Sequence, residues 1–247
     1  MAETTDTAAE EVEPVQSKGT LTSKAYAALL ERIMRLELAP GASFSESEIA
    51  AELELSKTPV REALVMLMGN RFVTVQRRSG YVVAPLTLRE ARDLFALRRL
   101  LEPGAAAMAA EASLSAIRLE NLRDLAASTA DPGNDVDEVL KANSRFHFQV
   151  LGATHNHHLM RALQGPTLHT RRLYRLIVEL RGEPDEIRHD HTDLLDAVAA
   201  GRPDVARQLV EQDLDRAYKW AFDALMSADV LQSTNIGTAI SGEDEDL

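Results

Sequence analysis

From Thr22 to about Leu36 the apolar residues Tyr26, Leu29, Leu30, Ile33 and Met34 recur at helical spacing, with Thr22 as the expected N-cap. Ala39-Pro40-Gly41 breaks that helix. Ser45-Glu46-Ser47-Glu48 is a capping-box pattern that opens a short helix bearing Ile49, Ala50 and Leu53. After a tight turn at Glu54-Leu55-Ser56-Lys57, Thr58 is the expected N-cap of a helix with Pro59 at its first position and Val60, Ala63, Leu64 and Leu67 inward. Phe72 to Gln76 and Tyr81 to Val83 read as two strands of a hairpin joined by the basic turn Arg77-Arg78-Ser79-Gly80.

Beyond residue 86 the period is helical throughout. The spans are about 88–112, 115–129, 135–154, 157–181, 185–200 and 203–227, separated by Asp131-Pro132-Gly133, Gly182-Glu183-Pro184 and Gly201-Arg202-Pro203. Pro103 and Pro166 fall inside two of these spans and predict kinks or breaks. The expected fold is mainly α: an N-terminal winged helix-turn-helix over 20–86 and a C-terminal all-helical bundle over 87–230. Residues 1–19 and 231–247 are acidic and lack an apolar period, so both are expected to be disordered acidic tails.

Charge sharpens this division. The chain of 247 residues carries a net charge of −12, yet residues 17–86 hold nine basic against seven acidic side chains. The N-terminal segment is thus the positive region of an acidic protein. The absence of cysteine excludes disulfides, thiolate metal sites and a cysteine nucleophile. No apolar run reaches membrane-spanning length and the acidic start has no signal-like core, so the cytoplasm is the expected compartment, with no membrane contact.

Two short helices with a tight turn and a basic hairpin match the shape of B-DNA, whose major groove admits one helix. The helix start at Ser56, Lys57, Thr58 and Arg61 combines small hydroxyls, N–H groups that favour phosphate and two cations, and Arg77 and Arg78 occupy the hairpin tip. On residues alone a small, self-capping α/β domain is the competing reading. The stretch Ser23 to Val83 resembles the DNA-binding domain of the GntR transcription regulators, through Leu38-Ala39-Pro40-Gly41, Ser45 to Ala50, Leu55-Ser56-Lys57-Thr58-Pro59-Val60-Arg61-Glu62-Ala63-Leu64 and Gly80-Tyr81-Val82-Val83. The resemblance implies that Ser56, Lys57, Thr58 and Arg61, with the wing residues Arg77, Arg78 and Gly80, contact a double-stranded operator. Lys57 stands where that family usually has Arg, and Ser47 where many relatives carry one.

In the second segment, polar residues interrupt apolar helix faces. Asn143 and His147 share a face with Val139, Leu140, Phe146 and Val150; His191 sits among Ile187, Leu194 and Val198; Asp213 among Ala206, Leu209, Val210, Ala217 and Trp220; Arg98 among Leu94, Leu97 and Leu101. Burying such groups unpaired is costly, so they are expected to meet each other or a ligand. Two readings stand on the residues: a hydrogen-bonded network, or a first shell for a divalent cation. His155, His157, His158 and His189 fall off these faces and are expected at the solvated surface, whereas His169, in line with Leu173, Leu176 and Leu180, is a pocket candidate.

This segment is similar to the FCD effector domain of FadR-like GntR regulators, through Arg98 to Pro103, Asn143-Ser144-Arg145-Phe146-His147, Asp190 to Ala197 and Gly201 to Ala206. The resemblance implies a divalent metal such as Zn or Ni held by Asn143, His147 and His191, with Asp213 at the position where the family has a last His, and Arg98 beside an effector carboxylate. It also implies a homodimeric repressor released from a palindromic operator by a small organic acid. A metal-dependent hydrolase with Glu102 or Asp190 as base is the rival from another class, but no spacing singles those residues out. A ligand-blind structural DNA binder is a third.

Overall fold

The computed structural model describes residues 20–76, 80–112, 114–183 and 187–226. Arg77, Arg78 and both expected tails lie outside the described residues. The chain divides at Thr87/Leu88 into two compact units.

In the first unit, helix α1 (Leu21–Met34) is capped by Thr20, whose hydroxyl accepts from the Ser23 amide. The expected cap, Thr22, lies inside the helix, and its hydroxyl donates to Glu62 at 2.6 Å. Helix α2 (Glu46–Glu52) starts with the capping box of Ser45 and Glu48. Helix α3 (Lys57–Gly69) begins two residues earlier than Thr58 predicts: Ser56 is the N-cap and makes no side-chain capping bond. Tyr26, Leu29, Ile33, Ile49, Val60, Leu64, Leu67 and Phe72 are buried between these elements.

Strands β1 (Ser43–Phe44), β2 (Val73–Gln76) and β3 (Gly80–Val83) form an antiparallel sheet in the order β1-β3-β2. The hairpin pairs Val75 with Tyr81 and Gln76 with Gly80, and Phe44 also pairs with Tyr81 across β1 and β3. Strand β1 is only two residues long, too short to carry an alternation, so periodicity misses it. Its proximity explains Gly80. The residue has φ +86°, and a Cβ there would stand 2.6 Å from the Phe44 carbonyl oxygen.

The second unit contains α4 (Leu88–Glu111), α5 (Ala116–Ala130), α6 (Val136–Leu151) with a 3-10 turn at Gly152–Thr154, α7 (His157–Arg181), α8 (Thr192–Ala199) and α9 (Pro203–Leu225). Helix α4 lies along α9, and Phe95 is buried with Leu173, Ile177, Ala221 and Leu225. Pro103 and Pro166 do not break α4 and α7. Pro103 is buried, so packing offsets the lost backbone bond. The helix expected over 185–200 is much shorter. Asp190 Oδ1 accepts from the Thr192 amide at 2.8 Å, so α8 starts at Thr192 and His191 occupies the N-cap position.

Candidate nucleic-acid interface and effector cavity

The start of α3 is open. Ser56, Lys57, Thr58 and Arg61 are all exposed, and neither the Ser56 hydroxyl nor an acidic first-turn residue occupies the helix-start amides. Arg61 is fixed by Glu46 of α2, with Nε–Oε2 and NH2–Oε1 both at 2.9 Å, while remaining 64% exposed. The Glu46 hydrogen bond and charge raise its pKa further above the ordinary guanidinium value. A helix start with free amides, small hydroxyls and an oriented guanidinium has the chemistry to receive phosphates and guanine edges. Gly80 begins β3 and packs against β1; its backbone requirement is structural. Arg77 and Arg78 lie outside the described residues.

The second unit holds a cavity of about 680 Å³ lined by residues that include Arg98, Asn143, His147, His189 and Asp213. Four of the five candidates in this segment that carried a metal or Arg role therefore reach one space, and His191 joins them through Asp213. His147 Nε2 lies 3.4 Å from Asp213 Oδ2, and His191 Nδ1 3.6 Å from the same oxygen. The His147 and His191 rings are 4.6 Å apart and edge-on, and Phe146 stacks on His191 at 4.8 Å. His169 is buried but does not line this cavity; its Nδ1 lies 4.0 Å from Glu90.

Burial sets the protonation of this cluster. It lowers the pKa of His147 and pushes His191 down to about 2, against the pull of Asp213. Burial would raise Asp213, but the hydrogen bond from His189 and the surrounding imidazoles overcome it and hold the carboxyl well below the usual range. The cluster is therefore two neutral imidazoles and a carboxylate at neutral pH, the forms that ligate metals.

The residues fit a cation. Ligand atoms of His147, His191 and Asp213 all lie within 4.8 Å of one another. Bonds of about 2.0–2.1 Å at tetrahedral angles would place neighbouring ligand atoms about 3.4 Å apart, close to the two distances here. His147 Nδ1 and His191 Nε2, the ring nitrogens opposite those that face Asp213, are buried without a hydrogen-bond partner among the described residues, with or without a cation in the cluster.

Arg98 is buried against Glu102, with Nε–Oε1 at 2.5 Å and NH2–Oε2 at 3.2 Å. Burial works against its charge, but Glu102 and Tyr174 overcome that and keep the guanidinium above its ordinary pKa. Burial also pushes the Tyr174 phenol up to about 12, against the lowering pull of Arg98. Glu102 takes up the Arg98 charge, so a ligand meets Arg98 as an oriented donor, and Arg181 and Lys219 in the lining are matched in number by Glu183 and Asp223.

The sequence reading missed His189. Its expected place was the solvated surface, but Nε2 lies 3.3 Å from Asp213 Oδ1. The helical wheel that moved it off the apolar face does not apply, because residues 189–191 precede α8 and are not helical. Tyr174 and Arg216 were missed too; nothing in their spacing marks them.

Residues 21–83 match the family model described as bacterial regulatory proteins, gntR family, and residues 93–216 match that of the FCD domain. The chain is 32% identical to the Nta operon transcriptional regulator of Aminobacter aminovorans over 51% of this chain and 60% of that protein. It is 38% identical to the gluconate operon transcriptional repressor of Bacillus subtilis over 29% of each chain. The crystal structure of a putative transcriptional regulator GntR from Rhodococcus sp. RHA1 shares the fold, with TM-score 0.68 and 24% identity over 82% of this chain and 98% of that one.

Proposed function

Because the chain belongs to the GntR family of DNA-binding transcription regulators and carries an FCD domain, we propose that it is a ligand-released repressor. Its DNA-binding domain is residues 20–86, its effector domain residues 87–230, and it acts in the cytoplasm. A homodimer places two copies of α3 on the half-sites of a palindromic operator. Lys57 and Arg61 reach phosphates or guanine edges, Ser56 and Thr58 allow close approach of the backbone, and the wing, with Arg77, Arg78 and Gly80, lies against the duplex. Leu97, Leu100 and Met108 are exposed along one side of α4, and a second copy packed there would remove them from water.

The observation that carries the ligand response is the cavity holding His147 and Asp213, with His191 behind them, beside Arg98. His147, His191 and Asp213 hold a divalent cation such as Zn or Ni, with Asn143 on the same lining. When bound, the metal supplies a Lewis-acidic point for a carboxylate oxygen. Arg98 orients the small organic acid. His169 takes no part in this cavity. Binding that prefers the DNA-incompetent arrangement by about 1–3 kcal/mol changes operator occupancy about five- to 150-fold.

A thermal-shift screen of small carboxylates, with and without Zn or Ni, tests this. The midpoint should rise with metal, and rise again with at least one acid only when metal is present. His147→Ala and His191→Ala should abolish both shifts. A flat response in every condition would remove the ligand reading and leave a ligand-blind regulator.

A further inference from the structure

We propose that His189 and Arg216 clamp one oxygen of Asp213, so that its carboxylate presents the other oxygen alone to the metal. The inference rests on the metal reading above and concerns how this chain holds a carboxylate beside two imidazoles in one ligand cluster.

An imidazole offers one lone pair in a fixed direction. A carboxylate brings two equivalent oxygens, freedom to rotate and an extra negative charge. Without restraint it can bind through either oxygen or both. Here the two oxygens have different neighbours. Oδ2 faces His147 Nε2 at 3.4 Å and His191 Nδ1 at 3.6 Å. Oδ1 faces His189 Nε2 at 3.3 Å and accepts from Arg216 NH2. One oxygen is thus turned to the ligand cluster and the other to an imidazole nitrogen and a guanidinium.

His189 belongs to the clamp and not to the ligand set. Among the described residues, the side chains whose ligand atoms lie within 4.8 Å of one another are His147, His191 and Asp213. The backbone of His189 is packed against α5: the buried Thr129 hydroxyl lies 2.8 Å from its carbonyl oxygen and shares its one proton between that oxygen and the Ala126 carbonyl at 2.7 Å. Its ring meets that of His191 edge-on at 4.1 Å. Arg216 lies one turn beyond Asp213 on α9 and offsets the charge that a carboxylate adds relative to an imidazole. Partners that orient a ligand in this way commonly change metal affinity about 10–100-fold when removed.

The test uses the full chain with Co²⁺ and Zn²⁺ as probes. Affinity is read by competition with a chromophoric chelator, site geometry from the visible spectrum of the Co²⁺ form, and imidazole count from X-ray absorption of the Zn²⁺ form. His189→Ala should bind about 10–100-fold more weakly, with an altered Co²⁺ spectrum and an unchanged count of two imidazoles. His189→Gln, which keeps an N–H donor but offers a poor metal ligand, should recover most of the affinity, and Arg216→Ala should weaken binding. A His189→Ala variant with wild-type affinity and spectrum would overturn the clamp. So would an imidazole count that drops from three to two, which would make His189 a ligand. If wild type binds neither ion, the metal reading falls and the clamp with it; if His147→Ala loses the metal while His189→Ala does not, only the clamp falls.

Discussion

Replacing Gly80 with alanine should unfold the winged domain selectively. Two costs add. A non-glycine residue at φ +86° pays about 1–2 kcal/mol for its backbone conformation. The new methyl would also stand 2.6 Å from the Phe44 carbonyl oxygen and 3.2 Å from the Ser45 Cα, both backbone atoms that cannot rotate away. Strand β1 must shift, disturbing the Phe44–Tyr81 pairing and the ring stack of those residues at 6.0 Å. Forced shifts of this kind cost about 1–3 kcal/mol. The sum, about 2–5 kcal/mol, is a large part of a small domain's stability and corresponds to a fall of at least about 8 °C in its midpoint. Far-UV circular dichroism sees both units, whereas the chain's one tryptophan, Trp220, reports only the helical unit. The dichroism transition of the winged domain should move and the Trp220 transition should not. A Gly80→Ala chain that melts within about 0.5 kcal/mol of wild type would refute the steric argument.

Three further outcomes follow from the same geometry. The metal-free helical unit should lose stability as pH falls below 6.5, because the unfolded chain protonates His147 and His191 at their ordinary value while the folded chain keeps them neutral. Each contributes up to about 1.4 kcal/mol per pH unit; urea melts followed by Trp220 should show a loss of about 2–4 kcal/mol between pH 6.5 and 5, and a flat profile would contradict the buried assignment. Arg61→Ala should weaken operator binding about tenfold or more and reduce the salt slope by about one if its contact is a phosphate, read by anisotropy titration in a series of salt concentrations. Leu100, 79% exposed, should become intolerant of charge if α4 carries the dimer contact: Leu100→Glu should shift sedimentation towards monomer.

Much of this fold was legible in the pattern of residues. The capping box at Ser45 and Glu48, the Gly/Pro breaks and the apolar stripes each have a local cause, and each marks an element. What escaped depends on contacts between distant segments. Strand β1 exists because Ser43 and Phe44 pair with β3, a relation no two-residue stretch can announce. The continuity of α4 through Pro103 depends on burial against its neighbours. At the site, Asn143, His147 and Asp213 were visible because polar residues stood on apolar helix faces, whereas His191 was reached from a helical wheel that does not apply to it, since α8 begins only at Thr192. His189 was hidden because it precedes a helix start that Asp190 fixes, where helical periodicity has no meaning. The Arg98–Glu102 pair was half visible, four residues apart on one helix, but that Glu102 takes up the charge depends on both being buried.

The central claim is that occupancy of the helical cavity governs DNA binding by α3. An operator recovered by selection from random duplexes allows a direct measurement: its affinity for metal-loaded protein by fluorescence anisotropy, with and without each of a panel of small carboxylates, for wild type and His147→Ala. At least one acid should weaken wild-type binding by about five- to 150-fold, while His147→Ala holds the operator and does not respond. Affinity that no acid changes, or a variant that releases DNA as readily as wild type, would contradict it.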